Sequence, residues 1–404
     1  MTPTLDEVRS LESQHVLGTY KRQPVLFVRG DGVRLFDADG KAYLDLISGI
    51  GVASRGHSDP DLTRAIIDQA STLMHVSNLY YHPLQGEAAQ RLSALSGLPR
   101  TFFCNSGTEA VEACLKFARR YWYTKHDTGR TAYVALKGGF SGRTMGALSV
   151  TSDPHYREPF EPLIPGVTFV SPTEPAELLA AVTDRTAAII AEPIQGEGGI
   201  RPLSQDFADA ITEACRRTGT LYIADEVQTG LGRTGYPFYF QALGLQPDLI
   251  SVGKALGGGV PIGATLVSAR VAETIFPGDH GSTYGGNLLA CRAAIVVLDQ
   301  LANGTLLEQV RATSAHFEQR LRALAAQHPV VTELRGVGLM RGLEVKVDAM
   351  LVVDAARERG LLVNRTNERV VRMLPPLTIS VADLDDAMDI LDAALGAVDQ
   401  GAQA

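Results

Sequence analysis

Leu221-Tyr222-Ile223-Ala224-Asp225-Glu226-Val227-Gln228 reads as a buried strand that ends on two acids. An apolar run of this kind, without polar alternation, suits a strand covered on both faces. The carboxyl ends of such strands are where open α/β sheets hold ligands. Similar short runs lie on either side: Thr101–Cys104, Tyr133–Leu136, Val167–Val170, Ala187–Ala191, Leu249–Val252 and Ala264–Val267. Helix-period segments at Thr108–Tyr121, Ala176–Val182 and Phe207–Thr218 alternate with them. This alternation predicts an α/β fold with a mainly parallel central sheet.

Past Gly286 the texture changes. Amphipathic stretches Leu288–Leu301 and Leu306–Gln327 lead into the Val/Leu/Arg-rich Val330–Val347, a helix-like Met350–Arg359, strands at Leu361–Asn364 and Val370–Met373, and a last helix Val381–Val398. Strand-like pieces near the start (Val25–Arg29, Val33–Asp37, Tyr43–Asp45) are expected to join this smaller α+β unit. The division expected is 1–50 and 286–404 for the small domain and 51–285 for the large one. The tail from Gly396 is expected to fray.

With 404 residues, 45% hydrophobic and 20% charged, the chain has the balance of a globular protein. Its 37 basic residues against 45 acidic ones give a net charge of −8. Nucleic acid and anionic membrane are therefore poor partners. No apolar stretch is long enough for a membrane helix, and the polar start does not resemble a signal peptide. The four cysteines show neither a paired motif nor metal-ligand spacing, so no metal is expected, and a reduced cytoplasmic setting is.

Glycine is in excess, 40 residues, and clustered at Gly138–Gly142, Gly196–Gly199, Gly230–Gly232, Gly257–Gly259 and Gly285-Gly286. Clusters beside strand ends suit a ligand held by main chain, although each alone is ordinary turn chemistry. In Phe103-Cys104-Asn105-Ser106-Gly107-Thr108-Glu109 a strand ends and a helix begins. Its free N–H groups with the Ser106 and Thr108 hydroxyls form an anion site or a plain N-cap. Asp225 suits a metal ligand in the Walker B manner, a proton acceptor, or a partner for a protonated ring nitrogen. Lys254, in Ser251-Val252-Gly253-Lys254-Ala255, stands at another strand end, where burial would depress its pKa. A nucleotide-binding P-loop is the rival reading, but the glycine-lysine-serine order is absent. Phosphate anchor, acid and lysine together fit pyridoxal 5'-phosphate, which has an anionic phosphate, a basic ring nitrogen and an aldehyde that condenses with lysine.

The chain resembles the class III (ω-amino group) aminotransferases of the fold-type I pyridoxal phosphate enzymes from about Gly18 to Leu395. The resemblance rests on Phe103–Ala110 (FCNSGTEA), Phe140–Thr144 (FSGRT), Glu192–Gly199 (EPIQGEGG), Asp225–Gly235 (DEVQTGLGRTG), Lys254–Ala264 (KALGGGVPIGA) and Gly281–Ala290 (GSTYGGNLLA). It implies that Lys254 binds the cofactor aldehyde and shuttles the proton, while Asp225 pairs with the ring nitrogen. Gln228 is implied on the ring's phenolic oxygen, Val227 and Phe140 on its two faces, and Ser106, Gly107 and Thr108 on the phosphate. Thr283, with Ser282, is implied to reach the neighbouring subunit's site, which makes the expected partner a second copy in a homodimer with shared sites.

Two arginines are implied for substrate. Arg143 matches the one that grips the α-carboxylate of an ω-amino donor. Arg372 matches the one for the carboxylate of 2-oxoglutarate, with Glu197 covering it while the donor is bound. The small-molecule partners expected are thus an ω-amino donor and 2-oxoglutarate. N²-acetylornithine leads as donor, with succinylornithine, carrier-linked lysine and 4-aminobutyrate as rivals. Three positions depart from the family: Ser141 where His is common, Tyr284 where Phe is usual, and Ile50 where enzymes of free ornithine carry a tyrosine.

Overall fold

The computed structural model describes residues 3–403. All seven expected strands lie in one sheet, in the order Arg100–Cys104, Gly263–Val267, Leu249–Val252, Leu221–Asp225, Thr186–Ala191, Ala132–Leu136 and Val167–Val170. Pairing is parallel throughout except at Gly263–Val267, which runs antiparallel to both neighbours. The continuous apolar runs have a direct cause. Ile189, Tyr222, Ala224 and Ile250 pack with Phe207 and Ile211 of the helix Gln205–Thr218. Ile190, Leu221, Ile223 and Leu249 pack with Val111, Cys114 and Ala118 of the helix Gly107–Thr124. Neither face meets water, so alternation is lost.

The two ends of the chain meet in a second sheet, where Leu361–Leu362 lies parallel to Ala42–Asp45; Ala42–Asp45 is antiparallel to Arg34–Asp37, which in turn is antiparallel to Phe27–Asp31. A third, antiparallel sheet orders Val331–Val337, Met340–Val345, Val370–Met373 and Asn364–Arg365. Its third strand carries Arg372. The expected strand Leu361–Asn364 is split between these two sheets.

Three helices longer than ten residues escaped the sequence reading: Leu5–His15, Pro60–Thr72 and Pro83–Ser96. The latter two announce themselves only by a capping residue and a proline at the first position, Asp59-Pro60 and His82-Pro83. They pack on the apolar helix Leu288–Ala302. The tail expected to fray from Gly396 instead continues the last helix, Val381–Gln403. Among the described residues no single helix is long and apolar enough to cross a membrane.

Candidate active site

Lys254 follows an extended Gly253 (φ −165°, ψ −144°) and itself has φ 42° at the head of the short turn Lys254–Gly257. A left-handed conformation costs a side-chain-bearing residue about 1–3 kcal/mol, so the surrounding fold must impose it. Gly253 makes the turn possible, because a Cβ there would lie 3.0 Å from the Gly107 backbone. Burial, then the Arg372 charge, depress the Lys254 ammonium; Glu197, Glu192 and Asp225 oppose them. An amine held below its ordinary pKa is a nucleophile and base nearer neutral pH.

Asp225 ends the strand beside Lys254's and is buried. Its Oδ1 accepts from Ser251 Oγ at 3.0 Å and Val227 N at 3.3 Å. Burial pushes its carboxyl up; those donors, the Lys254 charge and the Ser141 hydroxyl pull it back. Ser141, at a position where the family commonly has His, therefore supports the acid.

The helix Gly107–Thr124 points its N-terminus at the same place. Ser106 is its N-cap, accepting from Glu109 N at 3.3 Å, which leaves the N–H groups of Gly107 and Thr108 without helical partners. The cradle is glycine-tight. A Cβ on Gly107 would meet Val227 Cγ1 at 2.6 Å, one on Gly142 would meet Thr108 Oγ1 at 2.2 Å, and one on Gly263 would meet the Ser106 carbonyl at 2.2 Å. Thr108 Oγ1 lies 3.0 Å from Thr144 Oγ1 and accepts from Arg143 N at 3.2 Å.

Across the site Arg372, 1% exposed, places Nη1 2.6 Å from Glu197 Oε1. The same Nη1 donates to Gln228 Oε1 at 3.3 Å, and Nε donates to Asn364 Oδ1 at 3.2 Å. Gln228, expected only against a ring oxygen, is thus also an acceptor for Arg372. A cleft of about 440 Å³ opens between Gly139, Phe140, Tyr156, Glu197 and Asn367. At its mouth the exposed Arg143 lays its guanidinium 3.7 Å from the centre of the Tyr156 ring and 5.6 Å from that of Phe140. Stacking of this kind aims an otherwise mobile arginine.

Lys254, Asp225, Val227, Gln228, Glu197, Arg372, Ser106, Gly107, Thr108 and Phe140 therefore gather around the sheet's carboxyl end. Ser282 and Thr283 stand on a separate loop. Ser282 Oγ accepts from Asn105 Nδ2 at 3.2 Å, and Thr283 is exposed. Ile50 sits at φ 63° in the kinked turn Ser48–Gly51. Ser251, Asn364, Tyr156 and Glu192 were not singled out from sequence. Only Glu192 carried a usable signal, an acid directly after an apolar strand.

A desolvated lysine, a buried acid on the adjacent strand, a helix N-terminus lined with hydroxyls and an arginine paired with a glutamate are groups able to serve lysine-dependent carbonyl chemistry on carboxylate-bearing substrates. The chain belongs to the class-III aminotransferase family, whose model matches residues 18–395. Its relatives include the acetylornithine aminotransferase of Archaeoglobus fulgidus, 46% identical over 94% of this chain and 98% of that one. Among solved structures, the ornithine aminotransferase of Toxoplasma gondii has a TM-score of 0.95 at 32% identity, covering 99% of this chain and 97% of that one. A second structure of that Toxoplasma enzyme carries pyridoxal phosphate at partial occupancy in its active site, with a TM-score of 0.94, 31% identity, and coverage of 99% and 96%.

Proposed function

We propose that this chain is a pyridoxal 5'-phosphate-dependent transaminase that moves the δ-amino group of N²-acetylornithine to 2-oxoglutarate, giving N-acetylglutamate 5-semialdehyde and glutamate in arginine synthesis. The observation that carries it is the ion pair of the buried Arg372 with the half-buried Glu197 beside Lys254. The residues fit the cofactor: helix N–H groups and hydroxyls for a phosphate, a buried acid for a ring nitrogen, and a depressed lysine for an aldehyde. When bound, pyridoxal phosphate supplies an aldehyde that takes up the amine and a protonated ring that draws electrons from the reacting carbon.

Ser106, Gly107 and Thr108 would hold the phosphate, and Phe140 and Val227 would flank the ring. Asp225 would keep a proton on the ring nitrogen, and Gln228 would face the ring oxygen. With the cofactor bound, Lys254 Nζ would be the base that takes and carries the proton of the reacting carbon. Arg143 holds the donor's α-carboxylate at the far end of the substrate. With the donor bound, Glu197 neutralises Arg372 next to an uncharged CH₂; with 2-oxoglutarate bound, Glu197 releases it to grip the carboxylate. Ile50 offers no polar group to the α-substituent, which favours an acylated donor over free ornithine.

The unit 51–285 carries the cofactor, segments 1–50 and 286–404 form the smaller unit, and the enzyme works in the cytoplasm as a homodimer. Leu79, Tyr80 and Tyr81 are 84%, 71% and 105% exposed, and the exposed Tyr284 ring lies 5.5 Å from the His75 ring. An apolar surface of this kind suits a second copy, into whose site Thr283 and Ser282 reach. Light scattering is expected to give twice the chain mass, and Tyr80→Asp/Tyr81→Asp is expected to give monomers without activity; a fully active monomer would refute the shared site.

The donor is tested by glutamate formation from 2-oxoglutarate with N²-acetylornithine, N²-succinylornithine, ornithine, lysine and 4-aminobutyrate. N²-acetylornithine is expected to have the highest kcat/KM, about tenfold or more above ornithine. A higher value for another amine would keep the mechanism and replace the donor.

A further inference from the structure

Glu192 stands directly after the strand Thr186–Ala191, is 8% exposed, and has no part in the reaction as described above. The parallel register pairs Ala191 with Ala224, which sets Glu192 beside Asp225 on adjoining strand ends. Each of its oxygens is engaged by a different loop. Oε1 accepts from Phe140 N at 2.9 Å, and Oε2 accepts from Gly196 N at 2.9 Å. The first loop carries the ring that flanks the cofactor space; the second N–H immediately precedes Glu197.

The two loops are in contact elsewhere as well. Gln195 Nε2 donates to the Lys137 carbonyl at 2.8 Å, and a Cβ on Gly198 would lie 2.4 Å from the Gly138 carbonyl. Burial, reinforced by Asp225, pushes the Glu192 carboxyl up to about 8, against the pull of the two N–H donors and the Lys254 charge. An acid this buried beside a second acid is costly unless its hydrogen bonds matter, since glutamine or leucine fills similar space.

We propose that Glu192 is a positioning residue whose two oxygens tie the Phe140 loop to the Glu197 turn, so that the wall against the ring and the cover over Arg372 are set together. The proposal rests on the reaction proposed above. Loosening Gly196 releases Glu197 from Arg372. The donor half-reaction, which needs that pair closed, then suffers more than the acceptor half-reaction, which needs it open.

The test is Glu192→Gln, whose side-chain amide has one acceptor for two N–H groups and must leave one of them facing an NH₂. In the protein freed of cofactor, hydrogen exchange at Phe140 or Gly196 is expected to speed up about tenfold or more, the effect of one lost buried hydrogen bond. In the holoenzyme, single-turnover rates with N²-acetylornithine are expected to fall about tenfold further than those with 2-oxoglutarate. Unchanged exchange at both amides, or equal slowing of both half-reactions, overturns the role. Should Glu192→Gln fail to fold, Glu192→Asp, too short to reach both loops, is read by the same two measurements. If the unsubstituted enzyme does not convert N²-acetylornithine, the donor assignment fails instead, and the exchange result still decides the tie.

Discussion

Lys254→Ala is expected to lower transaminase turnover by about 10⁴-fold or more while leaving the fold intact, because the variant loses both a nucleophile and a proton carrier. The change removes a side chain whose ammonium is disfavoured by burial and by the Arg372 charge, so the folded protein loses no stabilising ion pair at that atom. It does remove the packing of Cγ through Nζ in a turn already strained at φ 42°. The cradle for the phosphate stays, so cofactor binding is expected to weaken without vanishing. Turnover by stopped-flow and cofactor retention by absorbance separate the two effects. Retained turnover would refute the mechanism at its centre.

The sign of the pH dependence follows from the same causes. A lysine pKa depressed below its ordinary value keeps the free amine at pH values where a solvated lysine is protonated. As pH falls through the depressed value the amine takes up a proton and can no longer accept one from substrate. The rate of proton transfer is therefore expected to fall on the acid side.

The central sheet was legible because its two covered faces force continuous apolar runs, and each run is bounded by turn residues. The placement of Lys254 and Asp225 at neighbouring strand ends was legible because Asp225 ends such a run and Lys254 follows another after Gly253. The pairing of Arg372 with Glu197 was not, since 175 residues separate them and no local pattern joins them; only the family resemblance implied it. The helices Pro60–Thr72 and Pro83–Ser96 were missed for another reason: much of their surface is polar, and they pack on the helix Leu288–Ala302, whose own face is uniformly apolar. Glu192 was overlooked although it directly follows an apolar run, because position alone does not distinguish a buried acid that accepts from backbone N–H groups from a solvated one at a strand end.

Arg372→Ala is expected to raise the KM for 2-oxoglutarate roughly a hundredfold, about 3 kcal/mol, while changing the donor half-reaction only a few-fold. The asymmetry comes from what the guanidinium does in each half. In the proposed reaction it would face the acceptor's carboxylate in a site where it is 1% exposed, and an anion left there without its cation is severely destabilised. With the donor bound its charge is already cancelled by Glu197 at 2.6 Å, so its loss leaves a carboxylate that is 30% exposed and partly hydrated. Arg372→Lys restores a charge without the planar fork that also serves Gln228 and Asn364, and is expected to recover only part of the loss. Because the Arg372 charge helps depress Lys254, Arg372→Ala is also expected to move the acid limb of the donor reaction to higher pH, whereas Arg372→Lys leaves it near its original place. Equal damage to both half-reactions would mean that Arg372 serves the fold rather than the alternation between substrates.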